Sequence, residues 1–407
     1  MLPNKPFFSV LMPTYNRAHL LPLAIKSVLQ QTFEDFEIVI SNGGSTDNTR
    51  EVVAGFYDQR VRYIESKERL SIGDNYQNAL NNAMGEYLTF LSDDDAFVPV
   101  MLERVKKIIE AEKAEVITFR VCSYYHDEDI TLNRKIVPNT LVISQFTGKV
   151  TKFDTARAIK LLYRLHGLHD AEQDDNFIVS FLANAVYHHS VFSRMKMIRS
   201  KLFATTPADL YVAAAVFFVT DWYYCLDEPL HVWSNWADNA TASPHKKGNK
   251  LKEHYEKLLS GEKLRFTPLK FALPYNCDVN AILQAKYDFD NHNVETKIDW
   301  VQYYFSIYEN LMYLKRMRLD ISQELREFNE VLSKENKELK HQVNSKIKSF
   351  RFITKEFLRN IPFALYLSKS LFKRNSLDKR IIVSGNECKF DNVLECANFL
   401  AANFLNR

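Results

Sequence analysis

Short apolar runs alternating with segments of helical period dominate the first hundred residues. Phe7 to Met12 reads Phe-Phe-Ser-Val-Leu-Met and stops at Pro13, which predicts a buried parallel strand. Leu20, Leu21, Leu23, Ala24, Ile25, Val28 and Leu29 then recur along one helical face. Phe36 to Ile40 predicts a second strand, closed by the turn-forming cluster Ser41 to Thr49, whose Ser, Thr and Asp side chains can cap a helix starting near Arg50. Val61 to Ile64 predicts a third strand, Ile72 to Ala83 a helix, and Glu86 to Leu91 a fourth strand. This alternation implies a parallel sheet with helices on its faces, in which ligands bind beyond the carboxyl ends of the strands.

A helix over Val100 to Ala111 and a strand over Val116 to Val121 continue the pattern. Residues 123–148 are rich in turn formers. From Val150 to Asp238 helices mix with short strands, among them Leu226 to Trp233, as the second half of the same domain. The expected organisation is an α/β domain over 1–245, with halves at 1–120 and 121–245, then a helical extension over 246–345 and a basic tail over 346–407. Leu325, Leu332 and Leu339 stand seven apart, but their heptad partners include Asn329, Glu335 and Asn336, which favours a long surface helix over a coiled coil. Between Lys346 and Arg374 eight basic residues and one acidic residue interleave with Phe, Leu and Ile, and Pro362 interrupts the run. Two readings stay open for this tail: a segment lying on an anionic membrane surface, or a helix packing its apolar side on the rest of the protein. A short strand from Ile381 and a final helix close the chain.

Composition narrows the class. With 407 residues, 46% hydrophobic and 25% charged, the chain can bury cores in two or three units. A net charge of +3 excludes the global basic footprint of a nucleic-acid binder. Five scattered cysteines argue against a disulfide scaffold. The longest apolar run, Tyr211 to Val219, is too short to cross a bilayer, and a strand pattern starting at once after Met1 suggests no signal peptide. A cytoplasmic protein is expected, peripheral on the membrane's inner face if the tail binds lipid. Half of the ten glycines, Gly43, Gly44, Gly55, Gly73 and Gly85, fall in the first 85 residues, where tight turns and chemistry belong.

Asp93, Asp94 and Asp95 end the apolar strand Tyr87 to Leu91. Three adjacent carboxylates are costly unless solvated or neutralised, and a hard divalent cation, Mn²⁺ or Mg²⁺, neutralises them while sharing oxygens with a phosphate. The alternative is a solvated turn. Gly43-Gly44 lacks the spacing of a dinucleotide fingerprint, and no P-loop is present.

Taken in order, Ser9 to Arg17, Ser41 to Thr49, Gly73 with Asn75, and Phe90 to Asp95 with Pro99 resemble the family-2 glycosyltransferases, whose nucleotide-sugar-binding fold is called GT-A. The resemblance is strong over 7–120 and softer to about 240. It implies a Rossmann-like, mostly parallel sheet with helices on both faces, followed here by a C-terminal helical region. It also implies a nucleotide-sugar donor, UDP-linked by expectation, a glycan or lipid-linked glycan acceptor, and an inverting, metal-dependent transfer. Pro13, Thr14, Tyr15, Asn16 and Arg17 would line the nucleotide with Asn42, Gly73, Asn75 and Asp93. Asn42 stands where the family usually has a carboxylate, and its alternative role is to support the Gly43-Gly44 turn. Ser92 stands where the family often has the first Asp, so Asp94 and Asp95 take the metal positions, with His245 as a further contact. Thr206-Pro207-Ala208-Asp209-Leu210-Tyr211 resembles the family's base motif, making Asp209 either the catalytic base or a helix cap; Asp174, Asp175 and Asp221 are rivals. His188 and His189 either pack or help bind acceptor. A noncatalytic glycan- or nucleotide-binding scaffold is the rival function.

Overall fold

The computed structural model describes residues 5–126, 129–131, 134–136, 138–163, 182–203, 205–235, 263–290, 296–316, 318–359, 380–383 and 390–405, with isolated positions between 253 and 259. Strands β1 (Phe8–Thr14), β2 (Phe36–Asn42), β3 (Val61–Glu65) and β4 (Tyr87–Phe90) pair in parallel in the order β3-β2-β1-β4, with α1 (Leu21–Leu29), α2 (Thr49–Ala54) and α3 (Ile72–Asn81) between them. Strand β1 shows why these runs fold as they do. Phe8, Val10 and Met12 enter one core and Leu11 the other, so period-two alternation feeds both faces of a sheet buried on both sides.

Beyond β4 come β5 (Ala96–Phe97), α4 (Met101–Glu112), β6 (Val116–Tyr125), β7 (Asp129–Thr131), β8 (Arg134–Ile136), β9 (Thr140–Ser144), β10 (Val150–Asp154), α5 (Thr155–Leu162), β11 (Ala185–His188), α6 (His189–Ile198), α7 (Ala208–Val216) and β12 (Trp222–Asn235). The sheet continues from β4 through β11, β6 and β12 to β10. β11 lies antiparallel between β4 and β6, joining the two halves of the domain in one sheet. β12 runs from residue 222, longer than its apolar centre predicts, because it pairs with β6, β10 and β5 in turn.

A helical layer follows: α8 (Pro274–Phe289), α9 (Trp300–Arg316), α10 (Ser322–Lys334) and α11 (Lys337–Arg359). The expected single helix through the leucine heptads is interrupted, since Glu335 turns extended, with its carboxylate accepting from the Tyr304 hydroxyl at 2.6 Å. Leu332, Val343 and Ile347 are buried in the core shared with α7, α8 and α9. Lys346 donates to the Gln302 side chain at 2.8 Å and lies 5.3 Å from the Phe305 ring, so the start of the basic segment docks on α9. The side chains of 351–389 lie outside the described residues, and with them most of that segment. Among the described residues no helix is long and apolar enough to cross a membrane.

The chain then returns to the first domain. β13 (Arg380–Val383) pairs antiparallel with β9, and α12 (Val393–Leu400) buries Val393, Cys396, Ala397 and Leu400 in the core that holds α1, α4 and one face of β1. Arg104 holds the end of this return by donating to the Leu405 carbonyl at 2.6 Å, and the Tyr124 hydroxyl donates to that of Phe390 at 2.9 Å. Residues 390–405 are therefore part of the α/β domain's core.

Candidate active site

The carboxyl ends of β1 and β2 are tied together by short polar side chains, which suits a place where two loops must leave the sheet side by side. The Thr14 carbonyl accepts from the Gly43 N–H at 3.0 Å and from the Asn75 amide at 3.0 Å, while the Asn75 oxygen accepts from the Ser41 hydroxyl at 2.7 Å. Asn16 takes a left-handed conformation (φ 54°); its N–H donates to Ser45 at 2.8 Å and its side-chain oxygen accepts from the Thr46 N–H at 2.7 Å. Asp47 accepts from the Ala18 N–H at 3.0 Å and from the Thr49 hydroxyl at 2.5 Å, closing the lacing. Gly44, at φ +82°, has the Glu68 carbonyl where a Cβ would go, so a side chain there is excluded twice over.

Past β4, Asp93, Asp94 and Asp95 are all buried. Asp93 accepts from the Thr14 hydroxyl at 2.6 Å, and Arg17 reaches Asp94 at 2.7 Å and Asp93 at 3.3 Å. Burial pushes the Asp94 carboxyl up to about 8, helped by Asp95 and Asp93 and opposed by Arg17. Asp93 is also raised, by burial first, against the pull of Arg17 and Thr14. One guanidinium thus serves two desolvated carboxylates, an arrangement short of positive charge. Asp95 differs from the reading that paired it with Asp94 as a metal position. Its oxygens already accept from His231 Nε2 at 3.0 Å and from the Ser234 N–H at 2.8 Å, both on β12, so it anchors the turn to that strand.

Three further expectations shift on geometry. The Asn42 oxygen accepts from the Ser45 N–H at 2.9 Å and its amide donates to the Tyr63 hydroxyl at 2.6 Å, so the side chain serves the turn. A Cβ on Gly73 would collide with the Phe203 carbonyl, which makes this glycine a seat for α3 against the 203 segment. His188 caps α6 and lies 5.0 Å from the Tyr87 ring, at the start of β4 and the opposite end of the sheet from the triplet. Pro13 and Tyr15 are half-buried beside the lacing, with Arg69 over the Tyr15 ring at 5.0 Å. His245, Asp174 and Asp175 lie outside the described residues.

Asp209 opens α7 and accepts from the N–H of Leu210 at 2.9 Å, while burial raises its carboxyl above the usual range. Its relation to the triplet shows through Tyr76, which no sequence signal singled out. That ring stacks on Phe203 at 5.3 Å and tilts against Phe90 at 5.7 Å. Its hydroxyl is raised well above the phenol range by burial and then by Asp209, Asp93, Asp95 and Asp94. The triplet and Asp209 therefore all act on one phenol. A second missed residue, Asp278 on α8, is pushed up to about 7 by burial and by Asp209.

Residues 9–192 match the family model described as glycosyl transferase family 2. The chain is 42% identical over 93 residues to the GalNAc(5)-diNAcBac-PP-undecaprenol beta-1,3-glucosyltransferase of Campylobacter jejuni, covering 22% of this chain and 30% of that protein. It is 34% identical over 95 residues to the UDP-Glc:alpha-D-GlcNAc-diphosphoundecaprenol beta-1,3-glucosyltransferase WfgD of Escherichia coli, covering 23% and 38%. The chain thus spans about a third of the length of these curated relatives. A solved structure, S. aureus TarS 1-349 in complex with UDP, aligns over 84% of this chain and 91% of its own at 16% identity and a TM-score of 0.46. The matched segment, 9–192, which holds the strand-end carboxylates and laced loops, is thus similar to the family-2 glycosyltransferases, and the α/β fold around it is of the GT-A class.

Proposed function

We propose that the protein transfers a sugar from a UDP-linked donor to a hydroxyl of a lipid-diphosphate-linked glycan, with inversion at the anomeric carbon. The observation that carries this reading is that Asp93, Asp94 and Asp209 all lie close enough to the Tyr76 hydroxyl for their charges to act on it. The nucleotide would lie against Tyr15, Arg17 and the lacing of Thr14 and Asn75. By their names, both of these relatives act on undecaprenol-diphosphate-linked glycans and one uses UDP-Glc, which supports the donor and acceptor classes.

In this mechanism Asp209 takes the proton of the acceptor hydroxyl as its oxygen attacks the anomeric carbon. The bond from that carbon to the diphosphate oxygen breaks, and its electron pair leaves with the nucleotide. One displacement inverts the centre. Desolvation of Asp209 raises its basicity, which favours proton transfer in a closed site. Arg17 offsets charge at Asp93 and Asp94 before substrate arrives.

The donor set also fits a hard cation. Asp93 and Asp94 offer oxygens only, carry more negative charge than Arg17 neutralises, and leave further positions for phosphate oxygens. Among the described residues no three acidic, His or Cys side chains are gathered for a metal, so the substrate would complete the coordination. Mn²⁺ or Mg²⁺ bound there would stabilise the charge on the departing diphosphate. The test is incubation with UDP-glucose, Mn²⁺ and an undecyl-diphosphate-linked N-acetylglucosamine, followed by mass spectrometry. A disaccharide product supports the reading; failure to release nucleotide or form product across a panel of UDP sugars refutes it.

A further inference from the structure

We infer that Trp233, near the end of β12, is the platform on which a sugar ring of the acceptor glycan stacks. This inference rests on the functional reading above and names a residue outside the family segment, 9–192.

Trp233 is an exposed indole in a stretch of strand that is otherwise closed. From Tyr223 to Ser234 every residue is buried except Trp233, which is 37% exposed. Strand alternation accounts for the contrast with its neighbours. Leu230 and Val232 belong to the core that holds α1 and α4, so Trp233 stands on the opposite face of the sheet. On β6, Val121, Ser123 and Tyr125 pair in register with His231, Trp233 and Asn235 and share that face. All three are only half-buried, whereas Cys122 and Tyr124, on the core side, are buried. The sheet is packed on one side here and partly open on the other.

Hydrogen bonds fix how near this face lies to the triplet. The Ser234 N–H donates to Asp95 at 2.8 Å, and His231 Nε2 stands 3.0 Å from the same carboxylate, so the two contacts bracket Trp233 along the strand. Asp95 follows Asp94 directly. Strand direction agrees. β11 is antiparallel to both β4 and β6, and β12 is parallel to β6, so the end of β12 and the end of β4 lie at the same edge of the sheet. The triplet therefore stands between two surfaces: Asp93 takes Thr14 and Arg17 on the β1 side, where the nucleotide lies in the functional reading, and Asp95 takes β12. A glycan whose hydroxyl meets the donor sugar from the side away from the nucleotide extends over β12.

The chemistry of the face suits a sugar. A pyranose has an apolar C–H side that covers an indole and a rim of hydroxyls that need polar partners. Ser123 is the residue directly across from Trp233, and the Asn235 amide nitrogen is buried with no hydrogen-bond partner among the described residues, a donor left for a ligand oxygen.

The experiment uses the full chain with UDP-glucose as donor and undecyl-diphosphate-linked N-acetylglucosamine as acceptor, comparing wild type, Trp233→Leu, Trp233→Phe and Trp222→Leu. Trp222 is the control, an indole exposed at the opposite end of the same strand. Expected is a rise in acceptor KM of about tenfold or more for Trp233→Leu, recovered in large part by Trp233→Phe, with donor KM at the wild-type value and no effect of Trp222→Leu. The acceptor should also quench tryptophan fluorescence in wild type and Trp222→Leu but not in Trp233→Phe. Unchanged acceptor KM in Trp233→Leu, a rise in donor KM instead, or equal losses in the Leu and Phe variants would each overturn the inference. If wild type transfers no sugar, the functional reading fails, and the quenching still decides this one: quenching that vanishes in Trp233→Phe keeps the platform, and quenching that is absent from wild type or survives in Trp233→Phe removes it.

Discussion

Replacing Asp94 by Asn should make the protein more stable while crippling its donor site. Asp94 titrates near 3.8 as a free side chain and near 8 in the fold, chiefly because it is buried and secondarily because Asp95 and Asp93 crowd it. Between those values the folded state binds more protons than the unfolded one, so this group's contribution falls as pH rises from about 4 to about 8 and is level above. At pH 7.5 nearly the whole interval has been crossed, and at ~1.36 kcal/mol per pH unit the cost relative to a neutral side chain is at most about 5 kcal/mol. The pull of Arg17 on the carboxylate is already contained in that value, so the neutral Asn should gain up to about 5 kcal/mol at pH 7.5. For a protein of 407 residues that is a rise in melting temperature of up to about 6 °C. The assay is thermal unfolding of both proteins in EDTA at pH 7.5 and again at pH 4.5. The gap should be wide at the higher pH and nearly closed at the lower one. A variant melting at or below wild type at pH 7.5 refutes the reasoning and shows that Arg17 fully compensates the carboxylate.

Asp209→Asn keeps the shape of the helix start but cannot take a proton, so kcat should fall about 10²- to 10⁴-fold with donor KM unchanged in steady-state assays. Gly73→Ala forces α3 off the Phe203 carbonyl and should cost about 1–3 kcal/mol in denaturant unfolding, with turnover falling too because Asn75 and Tyr76 ride on that helix. Truncation after Ser345 removes the buried side chains of α12, each worth about 1–3 kcal/mol, and should lower the melting point sharply. A membrane role for the basic segment is therefore better tested in the full chain by replacing Lys355, Arg359, Lys369 and Lys373 with Gln; loss of sedimentation with anionic vesicles at low salt would support it, and unchanged sedimentation would count against it.

The parts of the fold that the sequence made legible share one property: their signal is local. β1 and β2 are runs of consecutive apolar residues closed by Pro13 and by the Ser41 to Thr49 cluster, so ends and loops can be placed from a few neighbours. The Asp triplet is legible for the same reason. What stayed hidden depends on partners far along the chain. Asp95 looks like its neighbours until His231 and Ser234 arrive on β12 to occupy it. Asn42 stays open between ligand contact and turn support until its amide finds the Tyr63 hydroxyl, far along the chain, and its oxygen the Ser45 N–H. Tyr76 is an ordinary member of an ordinary helix, and only its packing on Phe203 and the nearby carboxylates single it out.

The return of residues 390–405 to the first domain bears on how the protein is made. The core beneath β1 includes α1 and α4, synthesised within the first 112 residues, and α12, which leaves the ribosome only after some three hundred more. Until then one face of the first half has an uncovered apolar seat, and the early strands wait as a partly folded intermediate while the helical layer is translated. Contacts of such long sequence separation close late and slowly. Stalled or prematurely ended chains should therefore be the species that chaperones hold and proteases cut, and a limited-digestion time course of nascent chains should show protection of the first half appearing only once residue 405 has emerged.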